Sequence, residues 1–178
     1  MTTFIALLRA VNVGGTGKLP MARLRALCAD AGYANVRTYL ASGNVIFDTS
    51  DTAASVKATL EAALEALVGK PVSVILRSGA QMAAVLVENP FSNAPPDRTI
   101  AIFLDAPPPT TWREGISGRH DEHIAASLCE IYVHYPNGIG ASKLRIRAAA
   151  AGTGRNMNTV ANLAALASPA PGDEARSL

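Results

Sequence analysis

The order of punctuated segments in the first 78 residues constrains the fold most. Thr3 to Val11 is a short apolar run stopped by Asn and Gly, which reads as a buried strand. Pro20 suits the first turn of a helix, where its missing N–H costs nothing. Met21, Leu24, Leu27, Cys28 and Ala31 then share one face at helical spacing, and Gly32 ends the helix. Val36 to Leu40 reads as a strand, Ala41 to Asn44 (ASGN) as a turn, and Val45 to Phe47 as the returning strand. Ser50 or Asp51 can cap a helix whose stripe is Val56, Leu60, Ala63, Leu64 and Leu67, closed by Gly69, and Val72 to Leu76 is a fourth strand. Strand, helix, strand, strand, helix, strand is the split βαβ order of ferredoxin-like folds. It predicts an antiparallel sheet covered by helices on one face.

The rest of the chain reads as a second lobe. Ser78 and Gln81 match a capping box that opens a helix through Asn89, with Met82, Val85 and Leu86 inward and Pro90 as its stop. Thr99 to Leu104 is an apolar strand, and Pro107 to Pro109 keep the following loop extended. A helix or loop to His123, strands near Ile124 to Leu128 and Ile131 to Tyr135, and a helix from about Lys143 to Ala151 follow. Thr153 to Asn156 would begin a last helix that buries Met157, Val160, Leu163, Ala164 and Ala167. The expected class is α+β: a ferredoxin-like lobe over residues 1–78, a related lobe over 79–167, and a disordered Pro/Gly-rich tail over 168–178. The relation rests on VNVGGTGK and YPNGIGASK, each a strand, a glycine loop, a Lys and then a helix.

Hydrophobic residues make up 49% of the chain, which excludes wholesale disorder. A net charge of +2 is too small for the dense basic stripe of a dedicated DNA-binding domain. Cys28 and Cys129 stand apart, outside any CxxC pair, and read as reduced thiols of a cytosolic protein. The apolar start FIALL is short for a signal segment and runs into Arg9, and no run approaches a membrane span. A cytoplasmic location is the expectation.

The glycine loops invite a phosphate-loop reading, which fails in the strict sense. A Walker A loop needs a Gly where Asn12 stands and a hydroxyl where Leu19 stands. A weaker reading survives beside the plain one, in which the glycines only permit tight turns. Backbone N–H groups around Gly14 and Gly15 can cradle an anion at a helix start, with Lys18 supplying charge. Asn137, Ser142 and Lys143 crowd polar groups into the second loop. In TGRNMNTV, Arg155, Asn156 and Asn158 exceed what helix capping needs, and Arg155 suits a phosphate or carboxylate. His120 and His123 in RHDEH lack the third and fourth ligands of a zinc site and read as a solvated loop, so no metal is expected. Tyr33, Tyr39, Tyr132 and Tyr135 read as sheet-packing residues. No nucleophile with its base is recognisable.

Taken together, ALLRAVNVGG, KLPMARLRAL, VRTYLASGNVIF, IYVHYPNGIGASKL and TGRNMNTVANL resemble the bacterial family called domain of unknown function 1697, from Thr2 to about Ala167. The resemblance implies a small cytosolic fold of two α+β lobes and carries over no activity, cofactor or catalytic residue. The chain departs from the family pattern at Met157, where an aromatic is usual, and in its short alanine-rich stretch between Lys143 and Thr153. Arg9, Asn12, Ser42, Asn44, Asn137, Lys143, Arg155 and Asn156 stay in place as its polar set. The leading expectation is a phosphorylated or otherwise anionic ligand, a nucleotide or an RNA end, bound in a cleft between the lobes. A protein interaction module and a metal-free transferase-type enzyme are the alternatives.

Overall fold

The structure is a computed structural model, and it describes residues 1–12 and 18–168. The first lobe runs β1 (Thr2–Leu8), α1 (Met21–Asp30), β2 (Ala34–Thr38), β3 (Asn44–Thr49), α2 (Ala53–Val68) and β4 (Val74–Ser78). Its sheet has the order β2-β3-β1-β4 with every neighbour antiparallel. β3 therefore lies between β1 and β2, which is the split βαβ arrangement read from the sequence. The cap of α2 is Thr52, whose hydroxyl accepts from the Ser55 N–H, rather than Ser50 or Asp51.

The second lobe starts with α3 (Gly79–Val87) and continues through β5 (Thr99–Phe103), β6 (Ile116–Ser117), β7 (His123–Ala126), β8 (Glu130–His134), β9 (Arg145–Ile146) and β10 (Thr153–Asn156) to α4 (Met157–Ala167). Its main sheet is antiparallel with the order β10-β5-β8-β7, and β6 pairs with β9 in a separate small ladder. Both lobes thus own a four-stranded antiparallel sheet with helices against it, but their chain orders differ. The lysine-bearing loop of the second lobe leads into β9, not a helix.

One helix expected here is absent, and the last helix forms with the expected buried face but starts later. Residues 143–151 hold β9 and a 3₁₀ turn, Arg147–Ala149. Alanine propensity loses to Ile146, which pairs with Ile116 and buries against Trp112 and Leu104. Thr153 to Asn156 is not a helix start but an edge strand on β5, and only Asn156 caps α4, accepting from the Thr159 N–H at 2.9 Å. The stretch between Pro107 and His123 holds β6 and no α-helix.

The layers follow from which strand faces are apolar. Phe4, Ala6 and Leu8 of β1 meet α1 and α2 through Leu24, Cys28, Val56, Leu60 and Leu64. Ile5 and Leu7, on the opposite face, meet Met82, Val85, Val160 and Leu163 of α3 and α4. Those two helices also pack on Ala101, Phe103 and Tyr132 of the second sheet. One helical layer therefore serves both sheets, and β1 and β3 are apolar on both sides for that reason. Each such fully buried Ile or Leu contributes roughly 2 kcal/mol.

The tyrosines pack as expected. Tyr33 stacks on Phe47 with centroids 4.5 Å apart, and buried Tyr132 donates its hydroxyl to the Val85 carbonyl. Among the described residues no helix is long and apolar enough to cross a membrane.

Candidate functional site

The polar residues singled out in the sequence do not converge on one cleft. They fall into three places.

The first is a sealed joint between the lobes. Arg155, on β10, is 7% exposed. Its Nε donates to Asn44 Oδ1 at 2.6 Å, Nη1 to Thr153 Oγ1 and the Gly154 carbonyl, and Nη2 to the Leu8, Ser42 and Gly43 carbonyls. Every nitrogen of the guanidinium is engaged within the chain, and burial pushes its pKa down from 12.5 to about 10. Asn44, fully buried, completes the joint by donating to the Tyr39 carbonyl and to Ser42 Oγ. Arg155 and Asn44 therefore tie the lobes together with their side-chain donors engaged within the chain, Ser42 accepts from Asn44, and Asn156 caps α4.

The second place is a hollow of about 440 Å³ lined by Arg119, Asp121, Glu122, Asn137, Ser142 and Lys143, among others. Ser142 donates to Glu122 Oε1, and Asn137 donates to Asp121. Glu122 is buried, and its carboxyl is held down at about 2, first by the Ser142 hydroxyl and then by the His120 backbone N–H. Two carboxylates and two cations, Arg119 and Lys143, line this hollow, and the carboxylates take up the neutral donors, so its lining carries no net positive charge to draw an anion. Lys143 lies exposed at its rim.

The third place is the neck of the first glycine loop. Asn12, at φ 55°, donates from Nδ2 to the Leu19 and Ala41 carbonyls and accepts at Oδ1 from the Leu19 N–H at 2.7 Å. That amide clamps Leu19 beside Val11 and fixes both sides of residues 13–17. Gly14 and Gly15 lie outside the described residues. Around the neck are two cavities, of about 150 and 210 Å³, that share Leu19 and Val68. Arg9 and Lys70 line one; Lys18 and Arg23 line the other. Neither has an Asp or Glu in its lining. Arg9 gives one donor to the Ala150 carbonyl at 2.7 Å. The N-cap of α1, Pro20, offers no side chain to the first-turn N–H groups, and that turn holds no acid.

Sequence reading placed Arg9, Asn12 and Lys18 here but missed Arg23 and Lys70. Arg23 is on the exposed side of α1, and Lys70 follows α2 about fifty residues after the loop, so only the fold makes them neighbours.

A separate cleft between the lobes, of about 440 Å³, is lined by Arg77, Gln81, Glu88, Leu128, Cys129 and Glu130 among others, and by none of the expected residues. At its floor Arg77 binds Glu130, with both side chains buried and Nη2 2.7 Å from Oε1. Arg77 also donates to the Leu104 and Cys129 carbonyls across the lobe boundary.

The family described as "Protein of unknown function (DUF1697)" matches residues 1–132. The chain belongs to this family. No curated protein matches it. Among solved structures, conserved bacterial protein SP0830 from Streptococcus pneumoniae is similar, at 23% identity and a TM-score of 0.77, over 94% of this chain and 99% of that one. The likeness to that structure shows a shared fold and no more.

Proposed function

We propose that this DUF1697 protein binds an anionic, phosphorylated ligand, a nucleotide or an RNA end, at the neck of its first glycine loop rather than between its lobes. One observation supports the reading most: Arg9, Lys70, Lys18 and Arg23 border two cavities that share Leu19 and Val68, with no carboxylate in either lining. Four cations on one side and no acid create a positive field that a phosphate would neutralise. The uncapped start of α1 adds its dipole in the same sense. The clamp at Asn12 supports it further, since it holds Leu19, which lines both cavities, in place and so reduces the ordering a ligand must impose there.

Thermal-shift titration with inorganic phosphate, nucleotides, sugar phosphates and short RNAs tests the reading. A true ligand at ~100 times its dissociation constant stabilises the protein by ~2.7 kcal/mol. Lys18→Ala combined with Lys70→Ala abolishes that gain without lowering the ligand-free transition. A panel with no response, or a response the double variant keeps, ends the proposal.

A further inference from the structure

Opposite the glycine loop's lobe, the second sheet brings together two histidines that lie eleven residues apart in sequence. His123 of β7 and His134 of β8 are direct cross-strand partners. Their rings stand 6.0 Å apart, centroid to centroid, at an interplanar angle of 20°. Phe91 leans over both rings, with its centroid 6.3 Å from each. His123 is exposed and has no side-chain hydrogen bond among the described residues; His134 is half-buried.

Thr99 supplies a hydrogen-bond partner to His134 Nδ1. Thr99 Oγ1 lies 3.1 Å from the Pro95 carbonyl oxygen and 3.2 Å from His134 Nδ1. With the single hydroxyl proton given to the Pro95 carbonyl, as the Thr99 contact to it allows, the hydroxyl oxygen is free to accept. The hydroxyl oxygen then accepts from Nδ1–H of His134. A neutral imidazole with its proton on Nδ1 carries its free lone pair on Nε2. That is the outer-shell arrangement by which proteins orient a metal-binding histidine.

From this we propose that His123 and His134 form a two-imidazole site for a borderline divalent cation: zinc, nickel(II) or copper(II). Imidazole nitrogen suits these ions and not magnesium or calcium. Bound at 2.0–2.1 Å through one nitrogen of each ring at a tetrahedral angle, a shared ion would hold the centroids about 5 Å apart. The observed 6.0 Å is about 1 Å wider and the rings are near-parallel, so the exposed His123 ring turns toward the ion on binding. No group of three or more His, Cys, Asp or Glu suited to a metal occurs among the described residues, so water would complete the shell. A cation held there ties edge strand β7 to β8. The site shares no residue with the proposed anion site and stands or falls independently of it.

Calorimetric titration of tag-free protein with zinc, nickel(II) and copper(II) chlorides is the test. At least one ion binds with 1:1 stoichiometry. His123→Ala and His134→Ala each abolish that binding, His120→Ala leaves it intact, and Thr99→Val weakens it about 10- to 100-fold. In the wild-type protein, which needs no substitution, copper(II) broadens the amide resonances of residues 91, 99, 123 and 134 first. No binding by any of the three ions, binding that survives both histidine substitutions, or broadening centred elsewhere overturns the proposal.

Discussion

Two buried arginines cross the boundary between the lobes in opposite directions. Arg77 leaves β4 for Glu130 and the Leu104 and Cys129 carbonyls, while Arg155 leaves β10 for Asn44 and the Leu8 and Ser42 carbonyls. Removing Arg77 leaves Glu130 as a buried carboxylate without its cation, so Arg77→Ala destabilises by about 3–5 kcal/mol in urea unfolding. Arg155→Ala strips partners from several buried acceptors and costs about 3 kcal/mol or more. If Arg155 were a ligand group instead, its loss would lower affinity and leave the unfolding midpoint in place. Glu122 sets an acid limit. Its folded pKa of about 2 lies below the ordinary 4.5, so it stabilises the fold above pH 4.5 and that contribution fades as pH falls toward 2. Glu122→Gln flattens stability across that window, which unfolding at pH 7 and pH 3 measures. Arg155 stood out in the sequence as one polar group more than capping needs. Its partner Asn44 lies 111 residues away, so local pattern could not tell a strut from a ligand hand. His134 was likewise invisible as the partner of His123.

At the scale of elements, legibility follows punctuation. Ser78 and Gln81 form the capping box read from the sequence, and Ser78→Ala costs about 1 kcal/mol of stability in chemical unfolding. The elements of the first lobe were readable because each carries its own cap, stop or apolar stripe. The helix expected from about Lys143 to Ala151 does not form because helix propensity is a weak preference, and tertiary pairing of Ile146 overrides it. β10 was misread because its four residues carry no alternation, and its pairing with β5 is a distant contact. Glycines separate in the same way. Gly118 has φ +64°, and a Cβ there would overlap the Lys143 carbonyl oxygen, whereas Gly138, with φ +85°, has open space around it. Gly118→Ala therefore lowers the thermal midpoint markedly, and Gly138→Ala lowers it only by the backbone strain of about 1 kcal/mol. Equal effects would show that the loop packing is not as described.

For the whole molecule, the decisive feature is the helical layer that both sheets share. Ile5, Leu7, Ile46 and Ile75 bury against α3 and α4, so residues 1–78 expressed alone would expose an apolar sheet face. That fragment aggregates or lacks fixed packing, and the full chain unfolds in one transition by circular dichroism and fluorescence together. A soluble, cooperatively folding fragment would contradict this. The cleft that does lie between the lobes is floored by the Arg77–Glu130 pair and lined by none of the residues the sequence suggested, whereas Arg9, Lys18, Arg23 and Lys70 border the loop neck with no carboxylate in its linings. Mapping by ¹H–¹⁵N NMR during titration with a nucleoside triphosphate tests that placement most directly. The amides of Lys18, Leu19, Arg23 and Lys70 should shift together and saturate with one affinity, while those of Asn44, Ser142 and Arg155 stay still. Shifts centred on the joint or on the Glu122 hollow, or no saturable shift from any phosphorylated compound, would contradict it.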